Sequence, residues 1–71
     1  MAAARVGARL RVVAVAPAHA DELLREGLLP GSVVEVASRT PLGGPVILVL
    51  GRVRIALSAQ VAADITVESA A

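Results

Sequence analysis

Between Glu26 and Val36 the chain reads Glu-Gly-Leu-Leu-Pro-Gly-Ser-Val-Val-Glu-Val, and its apolar spacing changes there from helical to alternating. Two glycines around a proline at such a junction have two physical explanations. One is a phosphate-cradling loop, which needs glycine-rich backbone leading into a helix N-terminus, with Lys and Ser/Thr in the Walker form. The order here is the reverse: helix, glycine, turn, strand. The other explanation is a helix stop followed by a tight turn. Gly27 takes the left-handed position that ends a helix, with Leu28 folding back toward Leu23. Leu29-Pro30-Gly31-Ser32 then fits a type II turn, with Pro30 presetting φ and Gly31 accepting a positive φ. Gly27, Pro30 and Gly31 are therefore structural turn residues.

The rest of the chain fits around this junction. Residues 1–7 read as a loose lead-in, and residues 8–16, rich in Val and Leu between Gly7 and Pro17, as a strand. A short helix is expected over 18–26, with Asp21 and Glu22 near its start and Arg25 near its end, an order that suits the helix dipole. Residues 32–40 alternate, placing Val34 and Val36 on one face and Val33, Glu35 and Arg39 on the other. A loop at 41–45 leads into Val46–Leu50, which is apolar throughout. Gly51-Arg52 makes a two-residue hairpin turn of the glycine-first type, and 53–57 directs Val53, Ile55 and Leu57 inward. Ser58 caps one turn through Ala63, and 64–68 closes with Ile65 and Val67 inward, leaving 69–71 as a tail. Five short strands with one helix between the first and second predict a mainly β fold, a small closed or half-open barrel, as one domain over 8–68.

A chain of 71 residues buries a small core, and with no cysteine it has no disulfide to reinforce it. The core is aliphatic, since 56% of residues are hydrophobic and none is aromatic. The segment Met1–Ala20 imitates a secretory signal, with arginines, an apolar run and Ala18-His19-Ala20. That run is short, is broken by Pro17, and holds a strand the domain needs, so the segment is read as part of the fold. Nothing approaches the length of a membrane-spanning helix.

Catalytic chemistry finds no support. His19 is the only histidine and has no cysteine partner, so no metal site is expected around it. Ser32, Ser38 and Ser58 have no histidine at an activating spacing. Arg9 and Arg11 share one strand face and Arg52 and Arg54 another, a pattern that could track nucleic-acid phosphates. Binders of that kind stack bases on aromatic side chains, which this chain lacks, and Glu35, Asp64 and Glu68 dilute the field. Net charge is only +1.

Glu-Leu-Leu-Arg-Glu-Gly-Leu-Leu-Pro-Gly at 22–31, Thr-Pro-Leu-Gly-Gly-Pro at 40–45 with its hairpin to Ser58, and Ala-Ala-Asp-Ile-Thr-Val at 62–67 together resemble the FeoA family of ferrous iron transport proteins. Residues 22–67 carry the resemblance. It implies an SH3-like barrel without enzymatic activity or cofactor, working in the cytoplasm beside the membrane GTPase-transporter FeoB. A small nucleic-acid-binding barrel, or a freestanding partner of a metal-dependent repressor, are the alternatives. Three positions depart from the family pattern: Gly44 stands for the loop aspartate, Ser58-Ala59-Gln60 for a basic run, and Glu26 for a leucine. With Leu50 opposite Val53, the residues Val46, Leu48 and Leu50 face inward and Ile47 and Val49 outward. Ile47 and Val49, joined by Leu23, are the expected docking surface for a protein partner or a second copy.

Overall fold

A computed structural model describes residue 1 and residues 4–70. The elements are β1 (Arg9–Val15), α1 (Pro17–Arg25), β2 (Val33–Arg39), β3 (Val46–Leu50), β4 (Val53–Leu57), α2 (Ala59–Ala63) and β5 (Ile65–Ser69). The five strands form one antiparallel sheet in the order β4-β3-β2-β1-β5. Its outer strands β4 and β5 do not pair, so the expected SH3-like barrel is half-open, with α2 packed against both.

Alternation builds the core. Val34 and Val36 of β2, Val46 and Leu48 of β3, and Ile55 and Leu57 of β4 are all buried, and Leu23 of α1 packs into the same cluster. Expected burial fails at the hairpin end. Val53 is 52% exposed, because the β3–β4 tip extends beyond the core residues, whereas Leu50 is half-buried and packs against the core as expected. Val67, half-buried, likewise packs against the core. Two register irregularities bend the sheet, between Val12 and Ala14 in β1 and between Val36 and Ser38 in β2. An extra residue on one strand sharpens local twist, which lets so short a sheet wrap on itself.

Helix α1 begins one residue before the expected start, with Pro17 in its first turn, where a fixed φ suits the helix and a missing N–H costs nothing. Asp21 and Glu22 consequently lie beyond the first turn, so the expected dipole benefit at the N-terminus is absent; Arg25 does occupy the last turn. The described part of the expected loose lead-in is bonded. The Met1 amine donates to the Ile65 carbonyl at 2.8 Å, the Gly7 N–H to Val36 at 2.7 Å, and the Arg39 guanidinium to the Ala4 carbonyl. Ala2 and Ala3, and Ala71 of the expected tail, lie outside the described residues. Strand β5 runs on to Ser69, and Ala70 still donates to Arg9.

Candidate interaction surface

The glycine–proline junction sets the position of α1 against the sheet. The Leu28 N–H donates to Leu23 and the Gly27 N–H to Leu24, both at 2.9 Å, the paired bonds of a Schellman stop. Gly27 has φ +87° and Gly31 φ +96°. Ser32 N–H closes the type II turn on Leu29 at 2.9 Å. The Ser32 hydroxyl adds a tie invisible in the sequence pattern, accepting from the Leu29 N–H and donating to the Gly27 carbonyl. Turn and helix end are thereby one unit, and Gly31 and Ser32 fasten it to β1 through Val12.

The loop at 41–45 presents a different surface. Leu42 lies in the left-handed region at φ +61° with its side chain wholly exposed. Thr40 N–H bonds the Pro45 carbonyl across the loop base at 3.0 Å. A Cβ on Gly44 would sit 2.5 Å from the Thr40 Cβ. Any side chain at 44, the family's aspartate included, requires Thr40 to move.

On the outer face, register lines up Arg9, Glu35, Val49 and Arg54 across four strands, with Ile47 between Ser38 and Ala56 in the neighbouring row. Ile47 and Val49 do point away from the buried side of β3, but they are half-buried rather than open. Leu23, the third residue expected at this surface, is buried at 2%, because the inward face of α1 passes through it; Leu24 is the exposed leucine, at 56%. A surface role for Leu23 is thus corrected by its burial.

The arginine stripes are broken by acids. Arg11 pairs with Glu68 at 3.1 Å, and Arg9 lies opposite Glu35. His19 Nε2 meets Asp64 Oδ2 at 3.0 Å, joining α1 to the end of α2. Among the described residues no three His, Cys, Asp or Glu side chains gather as a metal cluster. Ser58 caps α2 as expected, accepting from the Val61 N–H at 3.2 Å. A cleft of about 280 Å³, bounded by Glu22 and Glu26 of α1 and by β4 from Arg54, was missed in the sequence reading. Its one sequence signal is the four-residue spacing of the two glutamates, which stacks them on one helix face.

The sequence model of the FeoA domain matches residues 1–69. This chain belongs to the FeoA family. Its fold superposes on the crystal structure of an iron uptake regulatory protein (FeoA) with a TM-score of 0.83 and 30% identity, covering 94% of this chain and 89% of that one. The FeoA protein from Chlorobium tepidum gives a TM-score of 0.84 at 29% identity, over 99% of this chain and 69% of that one. A FeoA-like protein from Clostridium acetobutylicum shares the fold at 21% identity and a TM-score of 0.86, over 99% of this chain and 84% of that one. The chain has no match among curated proteins. Within this FeoA chain, the departure at Glu26 gains a place: it is the exposed C-cap of α1 and lines the cleft.

Proposed function

We propose that this FeoA chain serves ferrous iron transport as a non-enzymatic interaction module, docking at the cytoplasmic side of a FeoB-type membrane GTPase. Family membership over residues 1–69 supports the transport role. No helix among the described residues is long and apolar enough to cross a membrane. The docking reading is carried by the outer face of β3. There Ile47 and Val49 form a small apolar centre, and the cross-strand residues Glu35 and Arg54 give it a charged rim. An apolar centre inside a polar rim is the layout of protein–protein contacts. The wholly exposed Leu42, held at positive φ, supports the same reading, since such backbone strain collects at sites that bind.

The test is capture of the purified chain by a detergent-solubilised FeoB-type GTPase. The Ile47→Thr/Val49→Thr double variant should fold normally by circular dichroism and bind on the order of tenfold more weakly. Unchanged binding by the folded variant would place docking elsewhere. Unfolding of the variant would show these residues to be core.

A further inference from the structure

Strand β4 has an unoccupied edge. The two-residue turn makes Leu50 and Val53 the closing hydrogen-bonded pair of the hairpin, and bonded pairs alternate from there. Ile55 and Leu57 exchange bonds with β3, whereas Arg54 and Ala56 turn their N–H and C=O groups away from it. Among the described residues no other group takes them. Such a row of free donors and acceptors is a template for another strand.

The cleft of about 280 Å³ lies along this edge. It is lined by Arg54 and Ala56 from the strand, by Glu22 from α1 and by Glu26 at its C-cap. Both glutamates and Arg54 are exposed, and none of the three has an ion pair among the described residues. An anionic wall beside an edge strand that carries a cation is complementary to itself.

We infer that a second copy of this chain pairs along β4, antiparallel, across a two-fold axis at Ile55. Only outward-facing residues can exchange bonds, which restricts the register. Placing Arg54 opposite Arg54 sets like charges together, which is unfavourable. Placing Ala56 opposite Ala56 pushes Arg54 toward Ser58, beyond the end of the strand. Placing Arg54 opposite the second copy's Ala56 uses both outward residues twice. It sets each arginine opposite the other copy's Ala56, a small residue lining the cleft that also holds that copy's glutamates. The contact is isologous and closes on itself, giving a dimer rather than a fibre.

Sedimentation velocity over a concentration series tests this. The wild-type chain should dimerise reversibly, more weakly as salt rises. Arg54→Glu alone, and Glu22→Arg/Glu26→Arg alone, should each weaken the dimer at least about tenfold, and an equimolar mixture of the two should restore it. A monomer at every concentration, a dimer indifferent to both reversals, or a mixture that stays monomeric would each overturn the inference. Should a variant fail to fold, amide hydrogen exchange of the wild type decides. Arg54 and Ala56 should become protected as concentration rises, and concentration-independent exchange there contradicts the pairing. Protection appearing only with an added extended peptide from another protein would assign the edge to that partner instead.

Discussion

The two outer strands, β4 and β5, are each five residues long and finish the same sheet, but the chain treats their free edges differently. At β5, Ala16 donates to the Asp64 carbonyl, which makes the next pair, Val15 and Ile65, a non-bonded one and turns the Ile65 groups outward. The chain's own Met1 amine occupies that Ile65 carbonyl. Polar side-chain contacts also cluster on the β5 side, the ion pair of Arg11 with Glu68 and the hydrogen bond between His19 and Asp64. At β4 the outward groups of Arg54 and Ala56 have no such cover, and the nearby charges Glu22, Glu26 and Arg54 have no ion-pair partner among the described residues. Edge strands left bare invite pairing; the β5 edge has one carbonyl covered from within the chain, whereas the outward groups of β4 have none among the described residues.

The largest expected effect separates the two functions of β4. Ile55 is 3% exposed, and Ile55→Ala should cost about 2–5 kcal/mol in urea denaturation. Ala56→Thr, on the open surface of the same strand, should change stability by less than about 0.5 kcal/mol. A large loss at Ala56 would mean that this face is packed within the chain.

Next come the residues that set α1 beside the β4 edge. Gly27→Val and Gly31→Val should each cost about 1–3 kcal/mol, because both positions hold a positive φ that a β-branched residue resists. At Gly27 a Cβ would meet Leu50 Cδ2 at 3.4 Å, a van der Waals contact, so the positive φ is the main constraint. Urea midpoints equal to the wild type would refute the backbone account of this junction.

The smallest effect concerns the Met1 amine that covers the Ile65 carbonyl at the β5 edge. Burial, reinforced by the Arg39 guanidinium, lowers the pKa of the Met1 amine from its ordinary 8.0. Between the folded value and 8.0 the unfolded chain therefore binds more protons, and stability should rise slightly with pH across that window. The penalty for holding the charged amine is absent above 8.0 and is felt in full below the folded pKa. Thermal melts across this range should show the rise, and a chain acetylated at Met1 should lack it. A fall in stability across the same window would contradict the burial of the amine.

Much of this fold was legible because each signal was local. The helix stop at Gly27, the Pro30-Gly31 turn and the β3–β4 register follow from residue type and spacing within a few positions. The surface role expected of Leu23 failed because which face of α1 turns inward depends on where the helix begins and what it packs on. Inward direction for Val53 followed from alternation, but burial requires a core on that side, and the hairpin tip extends past it. The bulges in β1 and β2 and the Met1–Ile65 bond join distant segments and leave no periodic trace. The candidate surface was legible only in part: the outward direction of Ile47 and Val49 followed from parity, whereas the bare β4 edge emerges from strand order, which brings β5 beside β1 and leaves the outer side of β4 without a strand.

Isotope-filtered nuclear Overhauser spectroscopy on a mixture of labelled and unlabelled chains tests the central contrast most directly. Pairing at β4 makes Ile55 of one copy the non-bonded partner of Ile55 in the other, where antiparallel α-protons lie closest. The account predicts an intermolecular Ile55–Ile55 contact, flanked by contacts between Arg54 and Ala56, with none from β5. Intermolecular contacts from Ile65–Ser69, or from Ile47 and Val49 with β4 silent, would contradict it.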